Sequence, residues 1–195
     1  MKKKAGICVG LILLGVALLI PPGEGRDLAP AQKWVARYSG PGNGADRAWA
    51  MALDKSGNVY VSGESKGSNS DFDYATIKYS SAGKQRWVQR YDGPGNADDE
   101  AAAIAVDASG NIYVTGASEV SFTDNNPGAA NYYCQYLTTI KYGSNGKQVW
   151  AKKYKWPGGA YEYATGIALD KSGNVYVSGE SKGSTTDWDY IAIKY

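Results

Sequence analysis

The chain has no histidine among its 195 residues. That absence excludes Ser-His-Asp and Cys-His nucleophilic machinery, His-ligated zinc, and the side chain best suited to proton transfer near neutral pH. Cysteine is scarce too: Cys8 and Cys134 are the only two. Charge of one sign is not in excess. Lys and Arg number 21 against 19 Asp and Glu, a formal net charge of +2, which gives no basic field for nucleic acid. Leu, Ile and Phe are sparse and no segment has convincing helical periodicity, which argues against a helical bundle. Present instead are 25 Gly, 16 Tyr and 6 Trp, spaced too regularly for a disordered chain.

The first segment reads as targeting. Lys2, Lys3 and Lys4 precede an apolar stretch from Ala5 to Ile20, and Pro21-Pro22-Gly23-Glu24-Gly25 follows. A basic start, a short apolar run and a small-residue exit make a secretory signal over residues 1–25, with Gly23 and Gly25 at the −3 and −1 positions of the cut. As a helix the run reaches about 24 Å, short of the roughly 30 Å hydrocarbon core. An uncleaved N-terminal anchor is the alternative. Cys8 sits inside the run, too early for a lipid-attachment cysteine. Removing three Lys and one Glu leaves 18 charges of each sign, so the mature chain is formally neutral. Cys134 is then the only thiol, read as a partly buried bystander, and no internal disulfide can form. Residues 26–33 read as a linker. The expected location is secreted or cell-envelope, periplasmic or extracellular, with no membrane contact beyond the signal or anchor.

Residues 34–195 are one unit written three times, over about 34–86, 87–149 and 150–195. Ser56-Gly57-Asn58-Val59-Tyr60-Val61-Ser62-Gly63 returns from Ser109 to Gly116 and from Ser172 to Gly179, at offsets of 53 and 63 residues. Trp34, Trp87 and Trp150 keep those offsets, as do Asp54, Asp107 and Asp170. Ile77-Lys78-Tyr79, Ile140-Lys141-Tyr142 and Ile193-Lys194-Tyr195 show 63 and then 53. The middle copy therefore carries ten extra residues between Gly116 and Ile140. A fixed period of this length signals a repeat architecture.

Each copy predicts four short strands: the small-residue run 48–53, Val-Tyr-Val, a strand over 73–79 and a Trp/Tyr strand over 85–91. Asp-Lys-Ser-Gly-Asn at 54–58 is turn chemistry, a side-chain acceptor followed by a glycine free to take positive φ. Strands of five to seven residues between Gly-rich turns indicate an antiparallel sheet per copy. Four strands in about 53 residues fit a β-propeller blade, with the alanine strand crowded at the axis and the Trp/Tyr strand on the outer edge.

These motifs resemble a known family. Asp-x-Ser-Gly-Asn-[Val/Ile]-Tyr-Val-[Ser/Thr]-Gly, Asp-Tyr-x-x-Ile-Lys-Tyr, Gly-Lys-Gln-x-Trp and Tyr-x-Gly-Pro-Gly-Asn are similar to the bacterial SBBP-type β-propeller repeat, over essentially all of residues 34–195. The resemblance implies exported or surface proteins with several blades, and it supplies no catalytic residues to carry over. The third copy departs from it, with Lys155-Trp156-Pro157-Gly158-Gly159 in place of the Gly-Pro-Gly-Asn loop.

The expected fold is therefore all-β: three four-stranded antiparallel blades, open, truncated or completed by oligomerisation, with an N-terminal outer strand at Trp34–Tyr38 able to pair with the last blade. Three blades are fewer than the usual four to eight, and exposed edges invite pairing. Three readings stay open: a piece of a longer propeller, a head-to-tail homo-oligomer such as a six-bladed ring, and an open three-blade monomer.

Candidate sites are few. The Asp54, Asp107 and Asp170 turns resemble the start of a calcium loop but lack its bidentate Glu. The acidic run Asp98-Asp99-Glu100 aligns with Ala45-Asp46-Arg47 and Tyr161-Glu162-Tyr163. Only its middle position is acidic in every copy, which suits a carboxylate holding loop amides; calcium held by Asp46, Asp98, Asp99 and Glu100 is the competing reading. Asp71/Asp73 and Asp187/Asp189 read as solvated blade edges, and Lys78, Lys141 and Lys194 as strand-exposed charges. The ten-residue insertion breaks the symmetry, and its aromatics Phe122, Tyr132 and Tyr133 are the candidates for partner recognition. No catalytic residue, cofactor site or definite metal site is assigned, since catalysis needs one asymmetric constellation and repetition supplies none. The expected role is an exported, non-catalytic binding or scaffold surface for a protein or glycan ligand. The alternative is a fragment of a larger propeller protein, such as a carbohydrate-active enzyme or an adhesin, whose active part is absent.

Overall fold

A computed structural model describes residues 31–68, 71–95, 97–122, 132–157, 161–183 and 187–195. Residues Trp34–Tyr195 make one compact unit; the expected leader over 1–25 lies outside the described residues. Eleven strands form three antiparallel sheets. The first holds β1 (Asp46–Leu53), β2 (Val59–Lys66), β3 (Phe72–Tyr79) and β4 (Gln85–Tyr91) in that order. The second holds β5 (Asp99–Val106), β6 (Ile112–Phe122), β7 (Tyr132–Tyr142) and β8 (Gln148–Tyr154), and the third β9 (Tyr161–Leu169), β10 (Val175–Lys182) and β11 (Trp188–Lys194). Among the described residues no helix is long and apolar enough to cross a membrane.

The local chemistry accounts for the hairpins. Gly57, Gly110 and Gly173 take φ of 73°, 80° and 85° in the turns after β1, β5 and β9, a left-handed conformation that glycine adopts without the Cβ clash. The innermost strands each carry a bulge. Trp49, Ala102 and Thr165 are the unpaired residues, because the ladder steps from Ala48↔Gly63 to Ala50↔Ser62, from Ala101↔Gly116 to Ala103↔Thr115, and from Gly179↔Ala164 to Ser178↔Gly166. The glycine opposite each bulge serves close approach. A Cβ on Gly63, Gly116 or Gly179 would run into the carbonyl oxygen of Arg47, Glu100 or Tyr163, so the Ser/Thr-Gly pair of the motif follows from the bulge.

The core lies between the sheets. Tyr60 and Tyr74 of the first sheet, with Trp87 and Tyr91, meet Ala101, Ile112, Val114, Ile140 and Tyr142 of the second. Tyr113, Leu137, Trp150 and Tyr154 of the second meet Ala164, Val175, Val177, Ile191 and Ile193 of the third. Each large side chain buried this way is worth about 1.5–3 kcal/mol.

The third copy supplies three strands to its sheet, as the repeat pattern expects, but Trp34–Tyr38, expected as an outer strand, forms none. That segment lies on the first sheet rather than beside β11. Trp34 Nε1 donates to the Ser81 carbonyl oxygen at 3.1 Å, its ring centroid is 6.2 Å from that of Tyr79, and Ala36 and Tyr38 pack on Val59, Ala75 and Ile77. Trp34 thus covers Gly83 as Trp87 covers Gly146 one sheet later. The physical reason is that its rings find an apolar face there, while no neighbouring strand offers it a ladder.

Candidate functional site

The recurrent aspartates hold turns. Asp54 Oδ1 accepts from the amides of Ser56 and Asn58 at 2.9 Å each, and Oδ2 from Asn58 Nδ2 at 2.7 Å and Tyr60 Oη at 3.0 Å. Asp107 and Asp170 repeat the set with Asn111 and Tyr113, and with Asn174 and Tyr176. Burial pushes Asp54 and Asp107 upward, but the Asn58 and Asn111 hydrogen bonds outweigh it and hold both below the ordinary carboxylate range. Asp170, bonded first by the Asn174 side chain, is pulled down to about 2. Carboxylates whose lone pairs are taken by donors have little left for a cation.

The middle acidic position does a second structural job. Asp46 accepts from the Gly40 amide at 2.9 Å, Asp99 from the Gly93 amide, and Glu162 from the Trp156 amide at 3.0 Å. Asp98 instead accepts from the Phe72 amide at 2.9 Å, so the four residues weighed for calcium face different partners. A different trio does converge: Asp73, Asp92 and Asp99 each bring a carboxylate oxygen within 4.8 Å of the others. Arg90 is bound into it, donating from Nε to Asp73 at 3.1 Å and from Nη1 to Tyr38 Oη at 3.3 Å. Burial pushes Asp99 up to about 7, with the Gly93 amide hydrogen bond opposing and the charges of Asp92 and Asp73 adding to the rise. Asp73 corrects the expectation of a solvated edge: it is 5% exposed and ion-paired with Arg90. Asp71 is more exposed and pairs with Lys66 at 3.1 Å, and Asp187 and Asp189 are exposed. The repeated lysines are not simply solvated either. Lys78, Lys141 and Lys194 lie 4.9, 5.0 and 5.3 Å over the rings of Tyr60, Tyr113 and Tyr176.

Where the inner strands approach one another, the copies differ. Arg47, Glu100 and Tyr163 are equivalent in register, as are Glu64, Ala117 and Glu180. Glu64 is 2% exposed, ion-paired with Arg47, and faces Glu100 of the next sheet. Burial first, then the neighbouring Glu64 carboxyl and its charge, raise Glu100 above the ordinary carboxylate range. This single-copy acid pair adds carboxylates beside the alanine-rich inner strands expected at the axis. Glu100 opens with Trp49, Ala117 and Tyr163 on a cleft of about 330 Å³. Glu64 does not line that cleft, whereas two-carboxylate hydrolysis needs both groups at the substrate.

The insertion lengthens a hairpin. β6 and β7 have 11 residues each, against 8 for β2, β3 and β10 and 7 for β11. Their ladder continues through Glu119↔Gln135, Val120↔Cys134, Ser121↔Tyr133 and Phe122↔Tyr132. Cys134 is buried and free. Tyr133 is 48% exposed; the side chains of Phe122 and Tyr132 and the tip 123–131 lie outside the described residues.

Comparison with protein families finds the SBBP beta-propeller repeat over residues 87–122 and 158–184. The chain thus carries two SBBP beta-propeller repeats. No curated protein matches it. The first match runs from within β4 to the end of β6 and so straddles two sheets, whereas the second covers β9 and β10 of the third sheet. The SBBP assignment supports a repeat or scaffold protein.

Sequence reasoning missed the Glu64–Glu100 and Asp73–Arg90 pairs. The signal that finds the first is the column where SBBP copies disagree, Arg47/Glu100/Tyr163. Asp73–Arg90 had no such mark, because strand partners are legible only once β3 and β4 are in register.

Proposed function

We propose that this chain is an exported, non-catalytic scaffold that binds a protein or glycan ligand through the β6–β7 hairpin. The observation that carries the reading is the ladder extension itself: the insertion adds paired strand residues, and so presents Tyr133 on a rigid support rather than on a loose loop. Recognition aromatics held on rigid elements lose little entropy on binding. The basic, apolar and small-residue order of residues 2–25 supports export. The test is retention of envelope proteins and binding to a glycan array by the chain and by Tyr133→Ala. The variant is expected to lose about tenfold or more in affinity, the scale of a contact worth 1.4 kcal/mol. Unchanged binding removes the hairpin from the site. A mature chain whose mass begins at Arg26 supports export, and a full-length cytoplasmic chain argues against it.

A further inference from the structure

The two internal junctions define what a sheet face in this protein takes as its neighbour. At the first, Tyr74 of β3 enters a socket on the second sheet. It is fully buried, its Oη donates to the Thr138 carbonyl oxygen at 3.4 Å, and it lies against Gly116 and Ala101. At the second junction Leu137 fills the same position, packed on Ala164.

The repeat offsets locate the unused halves of this contact. The residue equivalent to Tyr74 and Leu137 in the third sheet is Tyr190, which is 93% exposed. The socket residues Ala101, Gly116 and Thr138 correspond to Ala48, Gly63 and Ala75 in the first sheet. Those three line an open groove of about 390 Å³. Among the described residues the exposed knob and the open socket are therefore on the third and first sheets, separated by the second.

Charge points the same way. Glu64 meets Glu100 across the first junction, and Ala117 meets Tyr163 along one cleft at the second. The next pair in the series is Glu180, exposed on the third sheet, with Arg47, whose side chain is 52% exposed. The like-charged pair is internal and the opposite-charged pair is left for the ends. Arg47 has donors enough for Glu64 and a second carboxylate together. The edge matches as well. Thr76↔Gln89 and Thr139↔Lys152 translate to Ala192 of β11 opposite Ala36.

We propose that the third sheet of one copy docks on the first sheet of a second copy, with Tyr190 in the Ala48/Gly63/Ala75 socket, Glu180 on Arg47 and residues 34–38 completing the β11 edge. The contact is heterologous, and two copies return to their start as six sheets, inside the usual range of four to eight for a closed propeller. This proposal does not depend on ligand binding at the β6–β7 hairpin.

The experiment is the solution mass of the full chain in mild detergent, which keeps residues 5–20 from driving association. The expected result is twice the mass of one chain. Tyr190→Asp is expected to weaken association about thirtyfold or more, the effect of losing a buried aromatic anchor, with an unchanged far-ultraviolet spectrum because the ring is exposed in a single copy. Tyr190→Phe is expected to keep the dimer. With Cys8 and Cys134 replaced by Ala, Ala36→Cys with Ala192→Cys is expected to give a disulfide between two chains. A monomer at every concentration overturns the proposal. So does a dimer indifferent to Tyr190→Asp, and so does a disulfide formed within one chain.

Discussion

β2 and β10 have the same eight residues, Val-Tyr-Val-Ser-Gly-Glu-Ser-Lys, and different surroundings. In β2 six of the eight are buried and none is exposed. In β10 burial alternates strictly, one residue in and one out. The backbone is the same antiparallel strand with the same bulged neighbour. What differs is the number of faces covered by the described residues: the first sheet packs on the second and carries Trp34–Tyr38 on its other face, while the third sheet is covered on one face. Tyr60 is 0% exposed and Tyr176 39%. Alternation in a strand is thus a reading of its cover as much as of its sequence.

The comparison can be broken most severely at the knob position. Tyr74→Ala is expected to cost about 3–5 kcal/mol, the range for emptying a buried aromatic site. Tyr190→Ala is expected to change the stability of a dispersed single chain by less than about 0.5 kcal/mol. Denaturant unfolding of both variants at high dilution reads the difference, and equal losses would show that the two sheets are covered alike.

A smaller effect comes from acid groups at the first junction. Asp99 has a folded pKa of about 7 against an ordinary 3.8, so between those values the folded chain holds more proton than the unfolded one. Stability then falls as pH rises from about 4 to about 7 and flattens above. The raised Glu100 acts in the same direction. Asp99→Asn is expected to reduce the slope and to melt a few degrees above the parent at pH 8, at about 2–4 °C per kcal/mol. Melting curves across that window check it, and a slope unchanged by the substitution would remove Asp99 as its source.

The smallest contrast concerns Lys78 and Lys194, each over a tyrosine ring. Lys78→Ala is expected to cost about 0.5–1 kcal/mol and Lys194→Ala less, because the Tyr176 ring stays in water. Paired urea titrations read this.

Much of this was legible in the residues. The three Asp-x-Ser-Gly-Asn turns were, because donors and acceptor lie within six residues of one another. So was the amide-holding role of Asp46, Asp99 and Glu162, whose partners are six residues upstream. Glu64–Glu100 and Asp73–Arg90 were not: the first spans two sheets, and the second joins strands whose pairing depends on a bulge between Lys78 and Tyr79. Trp34–Tyr38 resembles β4 and β8 in sequence and so predicts a strand. A strand needs a partner, and the likeness says nothing about where one stands.

By itself the sequence determined the repeat, its turns, the glycine opposite each bulge and the order of strands in each sheet, all products of short-range sterics and hydrogen bonds repeated at fixed spacing. The tertiary structure alone decided which face of each sheet is covered, that Tyr74 is a core residue while Tyr190 stands in solvent, and that Glu64 is neutralised in part by Arg47. Burial depends on what lies on the far side of a sheet, and identical octapeptides have no means of specifying different neighbours.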